Sequence, residues 1–576
     1  MNKISHPRRE FLIRLSSVSA VLASGATLSA CGDGNDPVVL FNYGVASGDP
    51  LTDRVMLWTH AAFELSAGDV PLTYQVATDN NFSNIVSTGS VVASGANNNT
   101  VKVDALGLAA GNEYFYRFVA RGGHSSSVGK TRTLPASSVA EVKLAVFSCS
   151  SYAHGYFSVY EAAASSDAQY ALHLGDYIYE YKDGEYPATP VVGRNVSPKT
   201  EIYSLADYRM RHAQQKSDPS LKTLHARMPM IAVWDDHEFT NDAYMTGAEN
   251  HTEATEGTFA ARKEAALQAY HEWMPIRTGT DKSVIYRSFN FGNLLSLHML
   301  DTRIIGREKQ LALTDLGSAA WLSTSRQLMG STQTTWLATQ MATSTAKWQV
   351  LGQQVVMAKT WIPASIQKKF DSYFRAPAPD TIGAIRTEVE TYKSQYSAAL
   401  TAGTIPVYLA GGNANAYLKG APTDNPAIPY NMDAWDGYPV ARETVLGAFV
   451  QAAAATPSVG KKLVVLSGDT HNAWHNNLTT LNGTKVGEEF ATPSVSSPGW
   501  EEYFPTAFFP GTIKTLLEST TAVSNVQWTD TTRRGYLKMS FTPTQAKGEF
   551  IFIDSVSTKS YAIATPVAAE TRTYAG

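Results

Sequence analysis

Cysteine is scarce in this sequence: its 576 residues include only two, Cys31 and Cys149. Two cysteines allow at most one disulfide, which excludes a fold stapled by several bridges. An excess of positive charge is also lacking, and the formal net charge of −4 excludes the basic surface typical of nucleic-acid-binding proteins. Hydrophobic residues make up 44% and charged residues 17%, a balance that excludes a disordered chain and predicts sizeable buried cores.

The first thirty residues resemble a targeting segment. Arg8 and Arg9 resemble a twin-arginine signal, and an uncharged apolar run over residues 15–30 is too short to span a membrane. The run ends at Cys31 and resembles a bacterial lipobox, in which the cysteine is lipidated; an ordinary cleavage site with a chance cysteine is the alternative. We therefore expect an exported protein of the cell envelope, periplasmic or on the cell surface, lipid-anchored at Cys31 through a tether over 31–37.

Residues 38–136 have the pattern of a small all-β domain. Strand-like runs at 55–59, 72–77 and 114–120 are separated by clusters of Gly, Asp, Asn and Pro. Short alternating strands with turn signals between them predict a β-sandwich of the immunoglobulin or fibronectin type. A short linker near 136–138 follows, and nothing in the sandwich has a catalytic pattern.

Residues 141–576 have a different pattern, in which short apolar runs end in polar residues. Unbroken apolar runs of this length are typical of strands buried on both faces. Helical patterns at 260–273 and 333–345 lie between some of them, which predicts layered α/β structure with helices covering the sheet. The stretch 360–436 is irregular and is predicted to form loops. The apolar runs are 143–149, 169–176, 230–236, 294–301, 348–357, 405–413 and 462–469.

Four of these runs end in residues that can bind a metal ion. A capping aspartate or a hydrogen-bonded histidine explains any one of them, but four in one chain make coincidence a poor explanation. Functional residues collect at the carboxyl ends of strands in such folds. The candidates are Cys149 after the first run, Asp176 and Tyr179 after the second, Asp235, Asp236, His237 and Asn241 after the third, and Asp469 and His471 after the last.

These motifs are similar to those of the PhoD-like alkaline phosphatase family, within the metallophosphatase superfamily. The chain has Gly-Asp-x-x-Tyr at 175–179, Asp-Asp-His-Glu at 235–238 and Gly-Asp-Thr-His at 468–471, and further matches lie at 43–50, 207–212, 300–303 and 333–337. The resemblance covers nearly all of the chain after the N-terminal segment. It implies a layered αββα metallophosphatase domain over 141–576, preceded by the β-sandwich over 38–136.

The resemblance also implies a site for Fe³⁺ and Ca²⁺. Ferric iron suits the anionic thiolate of Cys149 and phenolate of Tyr179, and calcium prefers several oxygen ligands. One histidine in the last motif, where the superfamily has two, argues against two transition metals. The implied ligands are Cys149, Asp176, Tyr179, Asp236, Asn241, Asp469 and His471, with Asp176 as a bridge.

The implied reaction is hydrolysis of a phosphate mono- or diester, with a metal-activated hydroxide attacking phosphorus in line. Asp235, His237 and Arg303 are the predicted catalytic residues. His237 either protonates the leaving group or only orients a ligand, and Arg303 either binds phosphate or pairs with Asp301. His154, Tyr152 and Tyr156 are candidates to line the pocket, whereas His225 and His271 are interpreted as structural.

Two other functions stay open from the sequence. One is a phospholipase D-like phosphodiesterase, which the same resemblance includes. The other is a non-catalytic envelope lipoprotein whose β-sandwich binds a cell-surface polymer. The metal-ligand types at four strand ends argue against this second alternative, because a scaffold needs none of them.

Overall fold

We describe the protein from a computed structural model, which covers residues 37–187, 189–375, 387, 427–502, 514–518, 525–564 and 570–576. The predicted signal segment, Cys31 and the apolar run 405–413 lie outside these residues. Within them, no helix combines the length and the apolar character that crossing a membrane requires.

The N-terminal part is built from strands, as predicted. In β8 the buried side chains of Tyr114, Tyr116 and Phe118 enter the core and alternate with the more exposed Glu113, Phe115 and Arg117. The predicted runs at 55–59, 72–77 and 114–120 form β3, β5 and β8. The strands are β1 (Val39–Leu40), β2 (Val45–Gly48), β3 (Arg54–His60), β4 (Ala62–Phe63), β5 (Val70–Ala77), β6 (Ile85–Ala93), β7 (Thr100–Leu106), β8 (Glu113–Ala120) and β9 (Gly129–Arg132).

The rest of the chain alternates strands and helices. The strands are β10 (Val142–Phe147), β11 (Tyr170–His173), β12 (Met230–Ala232), β13 (Arg287–Phe291), β14 (Leu295–Met299), β15 (Trp348–Gly352), β16 (Trp361–Pro363), β17 (Ala427–Pro429), β18 (Lys462–Ser467), β19 (Ala473–Thr479), β20 (Lys485–Ala491), β21 (Val526–Asp530), β22 (Arg534–Phe541), β23 (Gln545–Ile553) and β24 (Thr571–Ala575). The helices are α1 (Ser158–Ala164), α2 (Leu205–Ser217), α3 (Pro219–Arg227), α4 (Glu253–Glu256), α5 (Phe259–Trp273), α6 (Gly330–Thr343), α7 (Ala364–Arg375), α8 (Pro439–Ala455) and α9 (Lys514–Leu517).

Two large sheets form the centre of the molecule. The first has the order β24-β23-β22-β10-β11-β12-β2-β3-β7, and β10, β11, β12 and β2 run parallel within it. It therefore joins strands of the predicted sandwich to strands of the predicted catalytic region, while β6-β5-β8-β9 form a separate sheet. The second large sheet has the order β13-β14-β15-β18-β20-β19-β21, with β14, β15, β18 and β20 parallel.

The sheets pack face to face, and helices cover their outer faces. Trp348 of β15 contacts Phe541 of β22 with ring centroids 5.9 Å apart, so aromatic side chains bridge the two sheets. In β18, Val464 packs into the core shared with the first sheet, whereas Val465 packs into the core under α6 and α8. Helices α1, α2, α3 and α5 pack on the first sheet. The predicted αββα layering is confirmed.

The prediction of loops over 360–436 is wrong where the structure describes this stretch. Residues 361–363 form β16, which pairs with β17, and α7 follows directly. The helix buries Ile366 and Phe370, which lie four residues apart and so share one face.

Candidate metal centre

The predicted ligands meet where the two large sheets come together. Two glycines make this close approach possible. A Cβ on Gly175 would lie 2.3 Å from the Asp235 Cβ, and a Cβ on Gly468 would lie 2.7 Å from the Ser148 Cβ. Any larger residue at either glycine would therefore separate the strand ends and the side chains that follow them.

Four of the predicted ligands have left-handed backbone conformations. The φ angles are 58° at Cys149, 55° at Asp176, 64° at Asp469 and 60° at His471. This conformation costs a non-glycine residue roughly 1–2 kcal/mol and persists only where the surrounding structure enforces it. Its repetition right after strands β10, β11 and β18 is typical of a functional site rather than of ordinary turns.

The side chains form a continuous chain of three groups, each with ligand atoms within 4.8 Å of one another. Asp176 belongs to two groups and Asp236 belongs to two, so neighbouring groups share a carboxylate. Shared carboxylates allow two cations to lie side by side. The groups are Cys149, Asp176 and His471; Asp176, Asp236 and His237; and Asp235, Asp236 and Asp469.

Tyr179 contacts two members of the first group, Asp176 and His471. Its hydroxyl donates to Asp176 Oδ2 at 3.0 Å, accepts from Ser497 Oγ at 2.7 Å and lies 3.3 Å from His471 Nε2. His471 Nδ1 donates to the Pro498 carbonyl at 2.7 Å, which turns Nε2 toward the group. Burial lowers the pKa of His471 to about 3, so that its imidazole is neutral and able to bind a metal.

The donor set fits a metal centre. Asp176 Oδ1, Asp235 Oδ2 and Asp236 Oδ1 are buried, and they have no hydrogen-bond partner among the described residues. Without an ion, burial raises the pKa of Asp176 and of the Cys149 thiol well above their usual ranges. Buried carboxylate oxygens without a hydrogen-bond partner are costly, and a bound cation would compensate them. Oxygen, thiolate and imidazole donors together fit the predicted pair of a ferric and a calcium ion.

Arg303 is completely buried among aspartates. Its Nε donates to Asp235, its Nη1 lies 2.8 Å from Asp433 Oδ2, and its Nη2 lies 3.0 Å from Asp469 Oδ1. The predicted alternative, an ion pair with Asp301, is wrong, because the Asp301 carboxylate instead accepts the Arg303 backbone N–H at 2.7 Å. Each guanidinium nitrogen already contacts a carboxylate, so binding a phosphate would displace one of these contacts.

Glu180 is a functional candidate to which the sequence reasoning gave no role. Its Oε2 lies 2.7 Å from His237 Nδ1, and the backbone N–H of Asn241 donates to its Oε1 at 2.7 Å. Burial opposes the charge on both partners. The carboxylates of Glu180, Asp176 and Asp236 nevertheless raise the pKa of His237 well above its usual range, and His237 lowers the pKa of Glu180 to about 2.

The sequence analysis also assigned no role to Glu238 or Asp433. Glu238 accepts the backbone N–H groups of Asp176 (3.0 Å), Tyr177 (2.6 Å) and Asp235 (2.7 Å), and so ties the ends of β11 and β12 together. The Asp-Asp-His-Glu motif was the available signal for Glu238. No motif signalled Asp433, because it lies in the stretch predicted as loops.

The other sequence candidates make the following contacts. The Asn241 amide donates to Glu249 Oε2 at 2.7 Å, near the surface. Tyr152 stacks under Arg194, with 3.5 Å from the guanidinium carbon to the ring centroid, Tyr156 donates to the Val192 carbonyl, and His154 bonds Ser151. His225 lies buried against Tyr177 and Lys216, and His271 bonds Thr278 and the Lys282 carbonyl. The contacts of His225 and His271 agree with the interpretation of both residues as structural.

Comparisons with known proteins agree with this geometry. The family model "PhoD-like phosphatase" matches residues 144–550, and "PhoD-like phosphatase, N-terminal domain" matches residues 29–135. The chain is 35% identical over 480 residues to "Alkaline phosphatase D" of Bacillus subtilis (strain 168), covering 80% of this chain and 70% of the relative. A solved structure titled "Structure of PhoD" matches with a TM-score of 0.71 and 31% identity, covering 93% of this chain and 90% of the other.

Layered sheets with a buried carboxylate, thiolate and imidazole site at their junction define a metal-dependent hydrolase of phosphoric esters. The chain belongs to the PhoD-like phosphatase family, as the sequence motifs predicted. It is an enzyme, and the non-catalytic alternative is therefore wrong.

Proposed function

We propose that this enzyme hydrolyses phosphate monoesters and diesters at a centre that holds Fe³⁺ and Ca²⁺. The observation that carries the proposal is the position of Asp176, which is shared between a group containing a thiolate and an imidazole and a group containing carboxylates. One carboxylate with two such different neighbourhoods suits two chemically different cations.

The chain's residues divide between the two ions by donor type. Ferric iron would be held by Cys149, Asp176, Tyr179 and His471. Calcium would be held by the oxygen donors Asp176, Asp236, Asn241 and Asp469. When bound, the two cations supply Lewis acidity toward phosphate oxygens and lower the pKa of a water ligand.

His237 and Arg303 have different tasks in this reaction. Glu180 accepts the Nδ1–H of the His237 imidazolium, so the proton on Nε2 is the one that His237 transfers to the leaving alkoxide. Arg303 and Asp235 keep the carboxylates of the third group in place, because the guanidinium bonds Asp235 and Asp469 together.

The proposal is tested by metal analysis combined with kinetics. We expect the purified protein to contain iron and calcium and to release phosphate or alcohol from a panel of mono- and diesters. Chelation of calcium should abolish this activity, and added calcium should restore it. A phospholipid in the panel tests the phospholipase D-like alternative. Full activity in protein free of iron and calcium would contradict the proposal.

Replacing Cys149 is the most direct test of the proposed metal site. We expect Cys149→Ala to lose iron and more than about 100-fold of kcat, because it removes an anionic donor from the metal rather than a supporting contact. A thiolate- or phenolate-to-iron absorption band in the visible range should weaken with it. Cys31→Ala is the matched control, and it should keep both the band and the activity. Wild-type activity in Cys149→Ala would assign the metal to other residues.

We further propose that the enzyme is exported and lipid-anchored through Cys31. The sequence at residues 8–9 and 28–32 supports this, and the assay is independent of catalysis. Radiolabelled palmitate should be incorporated into wild type but not into Cys31→Ala, which should move from the membrane fraction to the soluble fraction. No label in wild type would favour the ordinary cleavage site, and equal label in both proteins would place the lipid on another residue.

A further inference from the structure

A cleft opens directly beside the metal centre. Its volume is about 250 Å³, and its lining includes Asp469 and His471. The loop that accepts the His471 Nδ1 proton at Pro498 continues into the cleft wall at Trp500. An ester whose phosphorus lies at the centre therefore extends its alcohol portion into this space.

The walls of the cleft are aromatic. Tyr430 and Trp500 have ring centroids 5.1 Å apart, and Trp474 lies 6.3 Å from Trp500 on the other side. The Trp474 indole N–H is already satisfied by Thr470 Oγ1 at 3.0 Å, so the ring offers an apolar surface. Aromatic walls of this kind favour flat or cyclic groups.

The described lining of the cleft offers no cationic group to a second phosphate. No lysine or arginine is among these residues, and the Asp469 carboxylate already bonds Arg303 Nη2 at 3.0 Å. A second phosphate would therefore lose its hydration there without gaining an ion pair from the described lining. The volume also lies below the range of roughly 300–1,000 Å³ typical of sites that enclose drug-sized ligands. The space suits a single ring rather than a nucleotide.

We propose that this cleft binds one uncharged ring, aromatic or saturated, of the alcohol esterified to phosphorus. The enzyme then favours ring-bearing phosphoesters over short-chain ones. The inference rests on the proposed function for the position of the phosphorus and adds to it the chemical class of the alcohol.

Phosphonates test this without catalysis, because their carbon–phosphorus bond is not hydrolysed. Calorimetry on the metal-loaded wild type should show cyclohexylmethylphosphonate binding about tenfold or more tightly than ethylphosphonate, the discrimination typical of added hydrocarbon in an apolar pocket. Equal binding of the two would overturn the inference.

Variants then assign the preference to the cleft. Tyr430→Ala and Trp500→Leu should each lower the ring preference several-fold and leave ethylphosphonate binding unchanged, which also shows that the variant is folded. Tyr203→Ala removes a tyrosine that is 37% exposed and lies outside the cleft lining, and it should keep the full preference. A preference that persists in both cleft variants would place the ring elsewhere.

The outcomes also separate this inference from the proposed function. Hydrolysis of esters without any ring preference would overturn only the assignment of the cleft. Ring-selective binding without hydrolysis of any ester would support the cleft and contradict the proposed function.

Discussion

The pair formed by Glu180 and His237 gives a prediction that separates proton transfer from metal binding. Glu180→Gln removes the charge that holds His237 Nδ1–H, so we expect kcat on alkyl phosphates to fall by about 10²-fold. On p-nitrophenyl phosphate the fall should be less than about tenfold, because p-nitrophenolate leaves without being protonated. Metal content should not change.

The control for this variant is Glu249→Gln. Glu249 accepts the Asn241 amide near the surface and does not contact His237. The Glu249→Gln variant should keep kcat close to wild type on both alkyl phosphates and p-nitrophenyl phosphate. Equal losses on the two substrates in Glu180→Gln would indicate a purely structural role for Glu180.

Individual ligands were predictable where the residue type and its place after an apolar run agreed. Cys149, Asp176 and His471 are of this kind, and the structure brings them into one group. Glu180 was not predictable, because its partner His237 lies on another strand end. The role of Arg303 depended on Asp433, which only the folded chain brings within 2.8 Å.

At the scale of elements, Glu238 is the contact that ties β11 to β12. Glu238→Gln replaces one acceptor oxygen by an NH₂ group that faces a backbone N–H donor. We expect it to destabilise the fold by roughly 1–3 kcal/mol and to weaken calcium binding by about 10- to 100-fold, because Asp176 and Asp235 lose their shared anchor. Thermal melts and calorimetric calcium titrations measure the two effects.

Glu161→Gln is the matched control for Glu238. Glu161 is exposed on α1, where it accepts the Ser220 hydroxyl. The Glu161→Gln variant should change neither the stability of the fold nor the free energy of calcium binding by more than about 0.5 kcal/mol. Unchanged calcium affinity in Glu238→Gln would mean that the strand ends are held by other contacts.

Strands were easier to predict than the sheets they form. The apolar run at 462–469 contains β18, and the run at 143–149 covers all of β10 except Val142, because buried parallel strands consist of little else. The pairing of β12 with β2 could not be predicted, since pairing leaves no periodic signal in the sequence. Helix α7 had a signal in Ile366 and Phe370, but the neighbouring Pro and Gly residues obscured it.

For the whole molecule, buried histidines predict how stability depends on pH. Burial lowers the pKa of His212 to about 3, and its Nδ1 has no hydrogen-bond partner among the described residues. The unfolded chain takes up this proton near pH 6.5, whereas the folded protein does not until about pH 3. Stability is therefore lost as the pH falls through this window, by roughly 1.4 kcal/mol per pH unit for each such group.

His212→Leu should remove this contribution. Denaturant unfolding between pH 6 and pH 4 measures the free energy of unfolding of both proteins. We expect it to decline less steeply with falling pH in the variant, with a difference of roughly 1.4 kcal/mol per pH unit. The comparison cancels metal release, which both proteins share. His124→Leu, at a partly exposed position, should decline in parallel with wild type. If the free energy of unfolding of His212→Leu declined in parallel with that of wild type, His212 would be protonated in the folded protein.

The position of β22 beside β10 decides when this enzyme can become active during its synthesis. Val142 pairs with Phe541, so β10 lacks this neighbour until residue 541 has left the ribosome. In that interval the mostly apolar β10 presents an open edge, a hazard for aggregation that a chaperone would have to cover. Cys149 lies two residues after β10, so the strand that positions this ligand is fully paired only after residue 541 has been synthesised.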